Sequence, residues 1–210
     1  DAQYFNIKEL SPETSSILAG APLPEQYPQA GAFILKCDER IEITPSDTQV
    51  ARLHYIIKIL NERGKEKFAE AKIDYDSTYE KVELEYARTI KPDGTVVNVS
   101  SRHIRDVSKY LNFPLYSNAR VYIISFPEIS EGSSLEYKLK IYRSQLINKK
   151  DFVLGYPLQG SEPVVEAHFS IALPRARVIQ AKLLNENFNY FGADLNPKAA
   201  KGANLTYSWD

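Results

Sequence analysis

The chain has 210 residues, 43% of them hydrophobic and 25% charged, with a formal net charge of −1. That length can bury one large β core or two small ones. The near-zero charge gives no basic field for nucleic acid, and no apolar run approaches the ~20 residues that a membrane-spanning helix needs. Cys37 is the sole cysteine, so an intrachain disulfide framework is excluded and the fold must rest on its core.

The chain opens Asp-Ala-Gln with neither an initiator Met nor a basic-then-apolar leader, which reads as a processed or trimmed product. Ser11-Pro12-Glu13-Thr14 predicts a short helix, with Ser as cap, Pro in the first turn and an acid at the positive end of the dipole. Ile17 and Leu18 are its apolar anchors, and the Pro-rich run from Gly20 to Gly31 ends it. Residues 1–31 therefore read as a helix and arm packed against a sheet edge, and residues 32–210 as the main domain.

Ala32 to Thr44 predicts a strand pair or one long bent strand, with Phe33, Leu35 and Cys37 on one face. In the next strand Leu53, Tyr55, Ile57 and Ile59 alternate with Arg52, His54 and Lys58, while Ile56 and Leu60 interrupt the polar side and imply that it too is partly covered. Asn61-Glu62-Arg63-Gly64 reads as a turn, with Gly64 at positive φ, and Ala69-Glu70-Ala71 as a bulge. Val82, Leu84, Tyr86 and Ile90 share the face of a further strand, closed by a Lys91-Pro92-Asp93-Gly94 turn. Ser100 to Asn118 reads as a long irregular loop. Val121–Phe126 is a nearly continuous apolar run, the pattern of a central strand covered on both faces. Leu135, Tyr137, Leu139 and Ile141 alternate with Glu136, Lys138 and Lys140. After a second long connection over 143–163, Val165 to Leu173 is a strand, Val178 to Leu184 another, Asn185 to Gly202 a loop, and Leu205 to Trp209 a last strand. Many short strands with Gly/Pro/Asn turns predict an all-β fold, a large and mainly antiparallel β-sandwich with helix only at the N-terminus.

The segments HYIIKILNERGKEKFA (54–69), YARTIKPDGTVV (86–97), PLYSNARVYIISFP (114–127) and EGSSLEYKLKIY (131–142) resemble, in order and spacing, the DUF3857 family. That is a domain of unknown function found N-terminal to transglutaminase-like domains in bacterial envelope proteins, and the likeness runs roughly from Ala32 to Trp209. It implies export to the periplasm or cell envelope with the signal peptide removed. It also implies a downstream transglutaminase-like domain of the same chain as partner. These motifs are turn and strand signatures and speak for fold and context rather than activity.

Catalytic chemistry finds little to stand on. His54, His103 and His168 are widely separated and read as surface imidazoles, so no metal site is expected. Cys37 sits in a strand beside Asp38 and Glu39, where a nucleophilic thiolate is disfavoured and a small buried hydrophobe is at home. The i, i+2 carboxylate pairs Asp74/Asp76 and Glu83/Glu85 fit a solvated face. No Gly-x-Ser-x-Gly elbow or phosphate-cradling glycine loop occurs, so neither a catalytic residue nor a cofactor is assigned. Basic and aromatic residues do interleave between positions 102 and 122, and Arg105, Tyr110, Phe113, Tyr116 and Arg120 form a candidate partner or ligand surface. The expected function is a non-catalytic module that docks on, or presents substrate to, the downstream domain. The alternative is an independent carbohydrate- or peptide-binding module using the loop from Tyr110 to Arg120.

Overall fold

The computed structural model of the chain describes residues 9–110, 118–146, 152, 154–156, 160–177, 179–180, 198–201 and 204–209. Its strands are β1 (Ala32–Ile43), β2 (Gln49–Ile59), β3 (Glu70–Asp76), β4 (Glu80–Ile90), β5 (Val96–Asn98), β6 (Ile104–Ser108), β7 (Ala119–Ser125), β8 (Ser134–Arg143), β9 (Ala167–Pro174), β10 (Lys198–Lys201) and β11 (Asn204–Trp209), with helices α1 (Pro12–Ala19) and α2 (Glu62–Phe68). An eight-stranded sheet runs β10-β11-β9-β1-β2-β8-β4-β5, and a three-stranded sheet runs β3-β7-β6. All the strand pairs are antiparallel except β1 with β9. This is the mainly antiparallel, all-β sandwich with a short N-terminal helix that the alternations predict.

One face of the large sheet is the inner one. Over β2, β8 and β4 it packs on the small sheet, joining Ile57, Ile59, Leu135 and Leu139 to Ile124 and Phe126. Over β1 and β9 it is met by Leu146 and Phe152, which pack on Ile43, Ile171 and Leu173. The outer face carries α1, whose Ile17 and Leu18 close over Phe33, Leu35 and Ile56. Ile56 is fully buried there, so the apolar break in the polar face of β2 marks a covered surface, as the pattern implies. The helix lies over the middle of the sheet rather than its edge.

Two bulges decide which side chains face where. In β1 the pairing with β2 shifts between Ile34 and Lys36. Leu35 and Lys36 therefore both face α1, with Lys36 reaching Glu13, and Cys37 turns to the inner side with Tyr55. The expected common face for Phe33, Leu35 and Cys37 is thereby broken. In β4 the register with β8 shifts between Leu84 and Tyr86. Val82 and Leu84 pack inward, but Tyr86 and Arg88 are carried to the outer face, whereas strict alternation keeps Tyr86 with Leu84.

Several local expectations are corrected. Residues 62–68 form α2 instead of a turn, capped by the Asn61 side chain, which accepts from Gly64 N at 3.2 Å. Gly64 is required for close approach and not for positive φ: a Cβ there would stand 1.8 Å from Gly31 O. No bulge follows it, since β3 pairs with β7 without a register shift. The 100–118 stretch contains a capped 3-10 turn at Ser101–His103 and the strand β6. Its alternation is hidden because the two apolar residues, Ile104 and Val107, fall on opposite faces. β10 falls inside the expected 185–202 loop, and most of the strand expected over 178–184 lies outside the described residues. Other turns are as read: Gly94 has φ +85° and donates to Lys91 O at 2.9 Å. The Ser11 hydroxyl caps α1 by accepting from Thr14 N at 3.0 Å.

Candidate functional site: a buried carboxylate under the N-terminal helix

The most heavily coordinated ionisable group among the described residues is Glu136, in the middle of β8. It is fully buried, as is Arg88, at 0% and 2% exposure. In the ladder Glu136 lies directly between Ile56 of β2 and Arg88 of β4, and it is the bulge before Tyr86 that brings Arg88 to this face. The guanidinium holds Oε2 through Nε at 2.8 Å and Nη2 at 2.7 Å. Oε1 accepts from Thr14 Oγ1 of α1 at 2.9 Å, from Tyr86 Oη at 2.9 Å and from His54 Nε2 at 2.8 Å. Arg88 also donates to Glu9 O at 3.2 Å and lies over the Tyr86 ring, 5.1 Å from its centroid.

Burial pushes the Glu136 carboxyl up, but the His54 hydrogen bond, the Arg88 charge and the Tyr86 hydroxyl outweigh it and hold the group down to about 2. It is a fixed anion at neutral pH, satisfied on both oxygens and closed off from solvent. A general acid needs a raised carboxyl and a general base needs access to substrate; Glu136 has neither. What the arrangement does is fasten α1 to the sheet. A second ionic anchor lies beside it: Lys36, 5% exposed, pairs with Glu13 of α1 at 2.6 Å and with Glu166 at 3.3 Å. Glu162, also buried, accepts from Gly31 N at 2.8 Å and pins the entry to β1.

His54 was expected at the surface; it is buried at 9% exposure, because α1 covers the face on which it lies. His103 accepts from Ser100 N at 3.1 Å through Nδ1 and caps its own turn. No cluster of three or more His, Cys, Asp or Glu able to hold a metal occurs among the described residues. Cys37 is buried, with Sγ 3.2 Å from Tyr156 Oη, and burial pushes its thiol up. Tyr55 stacks on Tyr137 at 5.1 Å beside it and donates to Glu39.

The candidate partner surface is divided by the small sheet. Arg105 pairs with Ile123 and Ser108 with Arg120 in the β6–β7 register, so the two arginines project from opposite faces. Arg105 is ion-paired with Glu70. Arg120 holds Asp106 Oδ1 at 2.8 Å, and Tyr75 Oη reaches Oδ2 of the same carboxylate at 2.7 Å. Tyr110 follows β6 and is 51% exposed. Phe113 and Tyr116 lie outside the described residues. Reading by sequence misses Glu136, Arg88 and Thr14 as a group because each looks ordinary in its own strand or helix. The available signal is Ile56: an apolar residue on a polar face says that something covers Glu136 beside it.

The DUF3857 family model, described as a "Domain of Unknown Function with solved-structure structure", matches residues 45–210. Comparison with curated proteins finds no match. Among solved structures, a "putative protease" from Parabacteroides distasonis ATCC 8503 is similar with a TM-score of 0.71 at 15% identity, covering 85% of this chain and 35% of that one. An M1 zinc metallopeptidase from Deinococcus radiodurans aligns with a TM-score of 0.41 at 10% identity, covering 86% of this chain and 39% of that one. The chain thus spans little more than a third of the length of these solved proteins. No helix among the described residues is long and apolar enough to cross a membrane. With its family model matched across both sheets, the chain belongs to the DUF3857 family.

Proposed function

We propose that this chain is a non-catalytic β-sandwich module of a bacterial envelope protein, which docks on or presents substrate to a downstream transglutaminase-like domain. The observation that carries the reading is the use made of Glu136. The group with the most convergent donors is spent on fixing α1, sealed from solvent and held ionised, which is scaffold chemistry rather than turnover. The fold shared with the Parabacteroides protein, where it makes up about a third of a longer chain, supports a modular role. Export to the envelope is part of this proposal and is checked by fractionating cells that express the full gene.

The test is calorimetric titration of this folded chain with the separately produced region downstream of it in its gene. Saturable binding, together with a rise in the partner's turnover of peptide or protein substrates, is the expected result. A folded chain that neither binds that region nor alters its activity sinks the docking reading. Turnover by this chain alone sinks the non-catalytic one.

A further inference from the structure

Across the inner face of the large sheet, Leu139, Leu53, Glu39, Phe169 and Trp209 are successive cross-strand neighbours. The row is apolar but for Glu39. It lies where the two inner cores meet, since Leu53 packs in one and Ile41, next on the same face of β1, packs in the other. We propose that Glu39 and the aromatic rings around it bind the cationic side chain of a peptide, a lysine or an arginine.

The missing countercharge is the first reason. A carboxylate set among apolar neighbours and partly out of water calls for a cation. Asp38, Glu136 and Glu162, the buried acids among the described residues, each hold one, in Arg40, Arg88 and Lys67. Glu39 is half-buried and accepts from the Tyr55 hydroxyl, but it takes part in no ion pair among the described residues. Burial pushes up the Cys37 thiol and the Tyr55 and Tyr156 hydroxyls beside it, so these stay protonated and add no second charge.

The rings are the second reason. Tyr55 is stacked on Tyr137 to one side of Glu39. To the other, Tyr156 is stacked on Phe169 with centroids 4.7 Å apart, and its hydroxyl lies 3.2 Å from Cys37 Sγ. Tyr55, Tyr156, Phe169 and Trp209 are each half-buried, so ring surface stays open to solvent. A cation above such faces is drawn by their quadrupoles, more strongly where it is partly desolvated. The methylene stem of lysine or arginine packs on the same apolar surface. Stacking holds the rings in place beforehand, which keeps ordering costs low.

The same chemistry rejects other ligands. An anion meets the Glu39 carboxylate, and a neutral apolar side chain leaves it without a countercharge. A metal ion needs several ligands, and no group of three or more His, Cys, Asp or Glu able to hold one occurs among the described residues.

The proposal does not depend on a downstream domain, and its test uses this chain alone. Backbone amide NMR spectra are recorded at constant ionic strength with the N-acetyl methylamides of lysine, arginine and norleucine. Each is added up to about 10 mM, the weak end of specific binding. The lysine or the arginine derivative is expected to shift the amides of 37–41, 53–55 and 167–169 saturably, and the tighter of the two assigns the side chain. Norleucine, an apolar stem without the charge, is expected to leave them unmoved. Glu39→Gln keeps the shape and an acceptor for Tyr55; it is expected to weaken binding about tenfold or more without lowering the melting temperature. Tyr156→Leu is expected to weaken it about threefold or more. The idea is overturned if neither cation shifts these amides, if norleucine shifts them as far, or if either variant binds as the parent does. A lower melting temperature for Glu39→Gln ties the carboxylate to the fold and overturns it as well.

Discussion

At the scale of single residues, Glu136 and Arg88 are a case where the sign of a substitution depends on whether the partner is left behind. Two opposite charges at 0% and 2% exposure attract strongly but have each given up their hydration. Removing one leaves the other buried and uncompensated, at a cost of about 3–5 kcal/mol, whereas replacing both with well-packed apolar residues is often neutral. Arg88→Met is therefore expected to lower unfolding stability by that amount, and Arg88→Met/Glu136→Met to recover only part of it, because Thr14, Tyr86 and His54 then lose their acceptor. Chemical denaturation of the two variants and the parent settles it; a double variant no more stable than the single one contradicts the account. The same carboxyl gives a pH signature. Its folded-state value is held down to about 2 against an ordinary 4.5. Its contribution to stability is therefore fully present above about 4.5 and is lost as pH falls toward 2, on the order of 3 kcal/mol in all. The stability gap between the parent and Glu136→Gln is expected to narrow across that interval; a gap that stays constant contradicts the assignment.

At the scale of elements, the strands were legible in the sequence and their facing was not. Period-two alternation locates β2, β8 and β9, and the Pro-Asp-Gly turn after β4 is read with its mechanism. The bulges at Leu35 and Glu85 leave no comparable trace, because one extra residue in a strand looks like ordinary polar or apolar variation until the partner strand is known. Each flips everything after it, and so strict alternation puts Cys37 with Phe33 and Leu35, and Tyr86 with Val82 and Leu84, where the structure separates them. α2 was missed for a related reason. Its seven residues contain Gly64, a poor helix former, in a position that reads as a turn. Tertiary contact explains the glycine. On an exposed helix Gly→Ala gains about 1 kcal/mol, but here the new Cβ would lie 1.8 Å from the Gly31 carbonyl, inside the backbone that leads into β1. Gly64→Ala is therefore expected to destabilise the chain by about 1–3 kcal/mol. A melting temperature equal to or above the parent's in thermal unfolding contradicts this. Of the candidate surface, Arg105 and Arg120 could be found by composition, but their opposite facing needs the β6–β7 register.

At the scale of the whole molecule, the inner face has two cores under two different covers, and the question is whether they behave as one body. β1 argues that they do. Ala32 belongs to the core shared with the small sheet, Phe33 and Leu35 to the cluster beneath α1, and Ile43 to the core that Leu146 and Phe152 complete. The same strand pairs with β2 on one side and β9 on the other, so neither half can lose its strands without uncovering the other. The proposed docking role needs this rigidity, since contacts at one end must hold the other end in place. Trp209 is the only tryptophan and packs on Phe169 at 5.5 Å, in the half of the sheet built on β9 and β11. Its fluorescence therefore reports that half, while far-ultraviolet circular dichroism reports all the strands. Leu139 is fully buried in the other core, and Leu139→Ala is expected to cost about 2–5 kcal/mol. In a single cooperative body this substitution moves the Trp209 fluorescence midpoint by as much as the dichroism midpoint, although the two side chains belong to different cores. If the fluorescence transition stays where it is in the parent while the dichroism transition moves, the halves unfold separately, and a signal at one end would not be carried to the other.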